Sequence, residues 1–580
     1  MRKRGILAVI LGGMMAVLLY AGVRSVEGQS SQGSKSAALA GQVSSQEEGS
    51  MEGVLVSAKR EGSTITVTAV SDDKGRYSFL QEILQPGRYS LRIRAVGYNL
   101  KDPGTVEITA GKTTSLDLKL DRTKDLASQL SNAEWLLSMP GTKEQKVALY
   151  NCTQCHSLQR IVMSRHDADE WMQTLARMNY FIGSTPLKPQ RRPPATAEEL
   201  AIPGTRAGRA RAEGMEGGGA FPGGRRAMAE FLASVNLSKS PTWSYELKTL
   251  PRPTGRGTRV IVTSYDLPRK ETMVHDADYG PDGMVWFTDF GSQFVGRLDP
   301  KTGKVTEYPV PKLKPNYPEG LMDIRFDREG NAWMGMMAQG GIAKFDKQTQ
   351  KIVTYPLPRD VNGNDSQVAM VMPYSSHVDG KVWMNNVGPT LIQRLDVKTG
   401  EFETINPYAK YTPDNMRHGA YGINADEQNN LYVDDIGSNQ VLKIDAKTHE
   451  VKYYKTPTSD SGPRRARMDS QYRLWVALSR ADKWAMFDPK TETFKEFASP
   501  TPFSQIYDVM PDKYGEVWAG GMTSDRVYRL DPKTGQIAQY LVPKINTNMR
   551  RVDVDDTTNP PVFWTGDDHS PIIMRVEPLD

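Results

Sequence analysis

The chain has 580 residues, with 73 lysines and arginines against 68 aspartates and glutamates, so its formal net charge is only +5. A charge this small, spread along the whole chain, argues against a nucleic-acid-binding protein. The two cysteines are too few for a fold that depends on a disulfide framework. The length indicates several domains, which are taken below in chain order.

The first 28 residues predict export from the cytoplasm. The positive run Met1-Arg2-Lys3-Arg4 precedes an apolar stretch from Gly5 to Val23, which is typical of a secretory signal peptide with cleavage after Gly28. The alternative is an uncleaved anchor, because the apolar stretch is close to the ~18 residues that can span a bilayer. We expect a periplasmic or otherwise exported protein that meets a membrane only if this segment stays attached.

Residues 39–121 predict a small all-β domain. Polar and apolar residues alternate, as in residues 64–70, and turn residues such as Asp72-Asp73-Lys74-Gly75 separate the alternating runs. The pattern predicts a β-sandwich. The runs 73–79 and 84–91 resemble the carboxypeptidase regulatory-like domain. That resemblance implies a transthyretin-like accessory fold without peptidase activity.

The strongest chemical signal is Cys152-Thr153-Gln154-Cys155-His156, which holds both cysteines of the chain. Two thiols three positions apart on a helical turn can each form a thioether to a porphyrin, and the histidine then binds the iron. The motif predicts one covalently bound haem c, attached through Cys152 and Cys155 with His156 as iron ligand. The alternatives are a thioredoxin-type redox pair, which lacks its βαβ context here, and half of a zinc site, which lacks a second cysteine pair.

The residues around this motif predict a small helical domain over 122–240. A capping box from Thr142 to Gln145 predicts a helix that leads into the motif, and further helices are expected at 167–178 and 225–235. This layout resembles the class I cytochromes c. The resemblance implies a methionine as second axial ligand of the haem iron.

Met178 matches the position of that methionine best, at the end of the middle helix. The other candidates are Met163, Met172, Met215 and Met228. Packing in the apolar core is the alternative role of any methionine.

Between Gly183 and Gly224 lies an insertion rich in proline, glycine and arginine, including Arg191-Arg192-Pro193-Pro194. We expect a mobile surface loop. A basic docking patch for an acidic redox partner protein is the second interpretation.

The C-terminal part, residues 241–580, is a sevenfold repeat. Each unit carries a central aromatic residue, and an acid follows 13 positions later in every unit. The aromatics, 43 to 50 positions apart, are Trp286, Trp333, Trp383, Tyr432, Trp475, Trp518 and Trp564, and the acids are Asp299, Asp346, Asp396, Asp445, Asp488, Asp531 and Glu577. Four short strands per unit predict a seven-bladed β-propeller.

The ring should close through a strand that precedes the first unit. The last unit ends before its outer strand, and residues 260–268 have the outer-strand pattern, so they are expected to complete blade seven. The repeats, with residues 282–288 as best example, resemble the streptogramin (virginiamycin B) lyase propellers over about residues 259–580.

The inner strands should bring polar residues together at one mouth of the central channel. The positions 11 and 10 before the aromatic hold His275/Asp276, Met322/Asp323, Tyr421/Gly422, Arg464/Arg465 and Tyr507/Asp508. We expect a site there for a small polar or anionic ligand, with His275, Asp276 and Arg464 as catalytic candidates. The alternative is that these residues make hydrogen bonds between blades. Only His275 is of the residue type that the lyases use.

The sequence thus predicts a mainly β, multidomain protein with a β-sandwich, a small α-helical cytochrome domain and a seven-bladed propeller. The leading interpretation is an exported haem c electron-transfer protein or oxidoreductase component whose propeller binds a ligand. The alternatives are a streptogramin-type carbon–oxygen lyase with an accessory cytochrome, and a non-catalytic binding or scaffold protein. An enzyme, if the chain is one, is expected to be an oxidoreductase rather than a lyase.

The cysteine motif yields a direct test. Replacing Cys152 and Cys155 together by alanine should abolish the haem-stained band after denaturing electrophoresis, because only covalent haem survives denaturation. The unchanged chain, expressed with haem c maturation, is the positive control. A double variant that still stains would show that the motif does not attach haem.

Overall fold

The structure is a computed structural model that describes residues 36–102, 104–178, 181–184, 187–194, 196–197, 221–410 and 418–580. The predicted signal segment, residues 1–28, lies outside the described residues. Residues 37–580 form one compact unit. Among the described helices, none combines the length and the apolar character that a membrane span needs.

The N-terminal domain is a two-sheet β-sandwich. One sheet has the order β2-β1-β10-β7, with β5 and β9 also paired to β1, and the other contains β4-β3-β6-β8. Alternate residues such as Leu39, Val56, Phe79 and Leu91 are buried between the sheets, as the alternation predicts. The strands are β1 (Ala37–Ser45), β2 (Gly49–Ser50), β3 (Leu55–Arg60), β4 (Ile65–Val70), β5 (Arg76–Leu80), β6 (Gly87–Arg94), β7 (Tyr98–Leu100), β8 (Thr105–Ile108), β9 (Thr114–Ser115) and β10 (Leu118–Arg122).

A helical region follows the sandwich. The Thr142–Gln145 capping box forms with both of its hydrogen bonds, and helices occur where the sequence predicts them. The helices pack around a small apolar core that includes Trp135, Leu149, Trp171 and Phe231. Their bounds are α1 (Asn132–Ser138), α2 (Lys143–Ala148), α3 (Gln159–Val162), α4 (Ala168–Met178) and α5 (Gly224–Val235), with 3-10 turns at Ala127–Gln129 and Leu149–Gln154.

The rest of the chain folds into antiparallel blades of four strands: within the described residues, six blades are separate four-stranded sheets, and the strands of the seventh belong to a larger sheet. After β11 (Val260–Asp266), blades one to three are β12 (Val274–Tyr279), β13 (Val285–Asp289), β14 (Phe294–Leu298), β15 (Val305–Pro309), β16 (Met322–Phe326), β17 (Ala332–Gly335), β18 (Gly341–Phe345), β19 (Ile352–Pro356), β20 (Val371–Met372), β21 (Lys381–Asn386), β22 (Leu391–Asp396) and β23 (Phe402–Ile405). Blades four to seven are β24 (Ala420–Ala425), β25 (Leu431–Asp435), β26 (Gln440–Ile444), β27 (Val451–Lys455), β28 (Pro463–Met468), β29 (Leu474–Leu478), β30 (Lys483–Asp488), β31 (Thr493–Ala498), β32 (Ile506–Pro511), β33 (Val517–Gly521), β34 (Arg526–Leu530), β35 (Ile537–Leu541), β36 (Val552–Asp555), β37 (Val562–Asp567) and β38 (Ile572–Pro578). Short 3-10 turns at Gly255–Thr258, Arg359–Val361 and Tyr374–Val378 complete the described elements.

These sheets form a closed ring. The first strand of each blade contacts the first strand of the next, and β36 returns to β12. Strand β11 pairs antiparallel with β38 from Val260–Pro578 to Asp266–Ile572, so it is the outer strand of blade seven. The predicted closure is confirmed.

The same strand also joins the propeller to the sandwich. The free edge of β11 pairs antiparallel with β4, so blade seven and one sandwich sheet are a single eight-stranded sheet. Arg94, only 6% exposed, projects from the sandwich into the propeller. Its guanidinium lies 2.7 Å from Asp525 Oδ2 and donates to the carbonyl oxygens of Val542 and Lys544.

This buried pair predicts a large effect of mutation on stability. Arg94→Met should lower the free energy of unfolding by about 3–5 kcal/mol, because the buried carboxylate of Asp525 loses its counter-charge. Arg76→Met is the matched control, because it removes an arginine from an exposed pair with Asp72 in the same domain and should change stability little. Urea unfolding of both variants measures the difference. Equal effects would contradict the assigned role of Arg94.

Candidate functional site

The centre of the propeller channel is filled by buried arginine–aspartate pairs. Arg465, on blade five, donates to both carboxylate oxygens of Asp276 on blade one at 3.1 and 3.2 Å. Arg551, on blade seven, binds Asp278 at 2.7 and 2.8 Å and reaches Asp323 on blade two at 3.2 Å. These side chains are less than a tenth exposed. The contacts of Arg465 with Asp276 and of Arg551 with Asp323 join blades that are not neighbours in the ring.

Further pairs extend this network around the ring. Arg467 binds Asp508 at 2.9 Å, and Arg325 binds Asp323 at 2.9 Å. Asp434 has no hydrogen-bond partner among the described residues, and burial holds its pKa well above the usual range. The aspartates predicted at the mouth therefore serve as ties between blades, which is the alternative that the sequence left open.

A second layer of aromatic and basic residues lies against this network. The hydroxyl of Tyr421 is hydrogen-bonded to that of Tyr507, which lies 3.3 Å from His275 Nε2. His275 Nδ1 is hydrogen-bonded to Asp276. Burial lowers the pKa of His275 to about 3 despite this carboxylate, so the imidazole is neutral. Both ring nitrogens are thus engaged within the protein.

Arg464 has a different environment from Arg465, its neighbour in the chain. It is 6% exposed, and its guanidinium carbon lies 4.1 Å from the ring centre of Tyr507 and 5.4 Å from that of Tyr421. Its buried Nε atom has no hydrogen-bond partner among the described residues. The structure places Arg464 against Tyr507, whose hydroxyl lies 3.3 Å from His275 Nε2.

The cysteine motif lies directly on this mouth. The carbonyl oxygen of Thr153 accepts a hydrogen bond from Asn548 Nδ2 and lies 2.9 Å from His569 Nε2. Arg550 donates to the carbonyl oxygen of Gln154. The motif and the channel mouth, which sequence reasoning treated separately, therefore form one site.

Arg550 links the motif to the aromatic layer. Its guanidinium lies 2.7 Å from the carboxylate of Asp568 and 4.9 Å from the ring centre of Phe290, which in turn packs against His275. Burial raises the pKa of Asp568 to about 7, even though Arg550 opposes that shift. A carboxyl group that titrates near neutral pH thus lies beside the motif.

The two thiols are not joined in a disulfide. Cys152 is half-buried against the helical core, and burial raises its pKa to about 12. Cys155 is exposed. Burial raises the pKa of its thiol, Arg550 lowers it, and the Asp568 carboxylate raises it further. Cys155 thus lies close to both charged groups.

The histidine of the motif is suited to bind a metal. Burial lowers the pKa of His156, so the imidazole is neutral. Its Nδ1 atom lies 3.0 Å from the carbonyl oxygen of Ser157, and this contact orients the ring so that Nε2 is the nitrogen that could bind a metal. The described ranges contain no group of three or more His, Cys, Asp or Glu side chains placed to hold a metal ion.

The methionine candidates differ in their surroundings. Met178 is 40% exposed at the end of α4, and Met163 is 49% exposed. Met172 and Met228 pack into the helical core, and Met215 lies outside the described residues. A packing role therefore accounts for Met172 and Met228 but not for Met178 or Met163.

The described part of the predicted arginine-rich loop binds the propeller. Lys188 lies 2.6 Å from Glu319, and Gln190 Nε2 donates to the carbonyl oxygens of Gly291 and Glu319. Arg192 donates to Ser366 O at 3.1 Å. These side chains bind blades one to three rather than forming a free docking patch. Residues 198–220 lie outside the described residues.

Sequence reasoning missed Arg550 and Arg551 because the first hairpin of blade seven is longer. In blade one Trp286 pairs with Asp278, eight positions earlier, whereas Trp564 pairs with Asp553, eleven positions earlier. Counting back a fixed distance from the aromatic therefore passes over both residues. The arginine doublet, which repeats Arg464-Arg465, was the signal that could have found them.

Fold and site define a modular, mainly β protein with a sandwich, a cysteine-motif helical region and a propeller. Residues 38–121 match the carboxypeptidase regulatory-like domain, which confirms the predicted resemblance. Comparison with curated proteins gives no match.

Solved structures similar to the chain include virginiamycin B lyase from Staphylococcus aureus, with 18% identity, a TM-score of 0.46 and coverage of 55% of this chain and 98% of that chain. A streptogramin B lyase has 17% identity, a TM-score of 0.48 and coverage of 56% and 100%. The Cps50 (Swd1) propeller of Myceliophteria thermophila has 12% identity, a TM-score of 0.42 and coverage of 53% and 97%. The strand pairing within this chain itself shows the propeller.

The pKa of Asp568 predicts a pH dependence. Its folded-state pKa of about 7 lies above the usual ~3.9 of an unfolded aspartate, so the folded state binds the proton more tightly. The stability that this proton contributes is present below pH ~4 and is lost as the pH rises through 7. Asp568→Asn should therefore gain stability relative to the unchanged chain between pH 5 and pH 8.

Urea unfolding at both pH values measures this gain. Asp531→Asn is the control, because hydrogen bonds from the Lys533 backbone and the Thr534 hydroxyl lower the pKa of this exposed carboxyl, which titrates below pH 5. If the difference between Asp568→Asn and the unchanged chain were the same at pH 5 and pH 8, Asp568 would not titrate in this range.

Proposed function

We propose that the protein is an exported electron-transfer protein that carries one haem c at the mouth of its propeller, attached through Cys152 and Cys155 with His156 as axial ligand. The observation that carries the proposal is the environment of the motif. Two free thiols and a neutral, oriented imidazole lie on a segment whose backbone is hydrogen-bonded to the propeller. A bound haem c supplies one-electron redox chemistry.

The residues of the chain serve this role in distinct ways. Ser157 O orients the imidazole of His156, and the apolar helical core that includes Leu149 and Trp171 packs against Cys152. Met178 is the proposed second axial ligand, because its thioether is exposed at the end of α4 and has no packing role in the core.

In this proposal the propeller, which contacts the motif, is a ligand-binding module. Its mouth carries Arg464 and Arg550 beside the neutral His275. Such a surface favours a small anionic ligand. In the oxidoreductase form of the proposal, that ligand or a redox partner protein exchanges electrons with the haem.

The lyase alternative has less support. His275 is fully buried, with Nδ1 bonded to Asp276 and Nε2 facing Tyr507. An imidazole held this way has no free nitrogen to act as a base on a substrate. The scaffold alternative leaves the oriented imidazole and the two free thiols without a role.

The proposal is tested by spectroscopy of the full chain expressed with haem c maturation. The reduced-minus-oxidised spectrum should show haem c. The oxidised protein should show the weak near-infrared band of thioether ligation, and Met178→Ala should remove this band and lower the haem potential.

Met163→Ala is the matched control, because it removes the other exposed methionine of the region and should leave the band in place. A band that survives Met178→Ala and disappears in Met163→Ala would reassign the ligand. A chain without haem absorbance would refute the proposed function.

A further inference from the structure

The mouth of the propeller contains a buried positive charge without a counter-charge. Arg464 is more than nine-tenths buried, and the described residues offer its side chain no hydrogen bond and no carboxylate. Burying an unpaired charge is costly, so native proteins compensate such groups. The two tyrosine rings beneath the guanidinium offset a part of this cost through cation–π contact.

The neighbouring charges do not supply the missing partner. Arg465 takes both oxygens of Asp276, and Arg550 is paired with Asp568. His275 is neutral, because burial lowers its pKa to about 3. Among the described residues, the guanidinium of Arg464 is therefore left without an ion-pair partner.

We propose that Arg464 binds a carboxylate group at the propeller mouth. A guanidinium presents a planar pair of donors that matches a carboxylate, and such charge-assisted bonds are stronger than neutral ones. The rings of Tyr421 and Tyr507 pack against the guanidinium, and their hydroxyl groups are hydrogen-bonded to each other. A compact anionic group would give this guanidinium the counter-charge that it lacks.

This carboxylate has two sources. One source is a propionate of the proposed haem, because Arg550 contacts both the motif, at Gln154 O, and the aromatic layer, at Phe290. A free small organic acid is the other. The inference rests on the proposed haem only for the first source.

The test compares two forms of the full chain: the haem-loaded protein and the haem-free Cys152→Ala, Cys155→Ala double variant. Isothermal titration calorimetry measures the binding of sodium succinate, with sodium chloride at equal ionic strength as control. Each form is prepared in three versions: with Arg464 intact, with Arg464→Gln and with Arg464→Lys. Glutamine removes the positive charge, whereas lysine keeps the charge but lacks the planar pair of donors. Arg575→Gln, which removes an arginine ion-paired with Glu577 on β38, is the matched control.

If a free acid is the ligand, the haem-loaded protein binds succinate, and Arg464→Gln weakens this binding at least roughly tenfold, with Arg464→Lys in between. If a propionate is the ligand, only the haem-free form binds succinate. Arg464→Gln then lowers the haem potential, because a positive charge near the haem favours its reduced state. Arg575→Gln changes neither quantity.

The inference is overturned if neither form binds succinate and the haem potential is unchanged in Arg464→Gln. It is equally overturned if succinate binds as tightly to Arg464→Gln as to the unchanged protein. Failure of haem attachment would appear separately, as a missing haem spectrum, and the haem-free form would still decide whether Arg464 binds a carboxylate. Thermal unfolding of each variant confirms that it is folded. Since the charge of Arg464 is unpaired, Arg464→Gln should be no less stable than the unchanged chain when succinate is absent.

Discussion

Two backbone carbonyl groups, those of Thr153 and Gln154, fix the cysteine motif on the propeller. Their hydrogen-bonding partners, Asn548, His569 and Arg550, belong to blade seven, and all three are largely buried. Buried donors of this kind need acceptors, since an unsatisfied donor costs about 1–3 kcal/mol. The propeller thus completes its own mouth with the backbone of the motif, and the motif gains a defined orientation over the channel.

The shared strand β11 makes this arrangement rigid. It closes the propeller through β38 and continues into the sandwich through β4, so both domains belong to one sheet. The ion pair of Arg94 with Asp525 ties the same two domains at a second point. The carboxypeptidase regulatory-like domain therefore supports blade seven, whose residues bind the backbone of the motif.

Much of the fold could be predicted because it follows local periodicity. The aromatic residue and the acid 13 positions later recur in every blade, and the alternation in the sandwich marks its buried face. The seam between β4 and β11 could not be predicted, since pairing between strands almost 200 positions apart leaves no local pattern. The site was predicted in part: His275, Asp276 and Arg464 do lie together, but their burial and the pairing of Asp276 with Arg465 depend on residues across the ring. Arg550 was not predicted, because the first hairpin of blade seven is longer and Arg550 lies outside the positions counted back from Trp564.

The central claim is that the buried charges of the propeller mouth lie beside the proposed haem. The haem potential of the full-length Arg550→Gln variant at pH 6 tests this claim most directly. At that pH Asp568 is mostly protonated, because its pKa is about 7, so the substitution removes close to a full positive charge. The Arg550→Gln variant should have a lower haem potential than the unchanged protein, because the oxidised haem loses a repelling charge. An unchanged potential would show that Arg550 does not lie beside the haem.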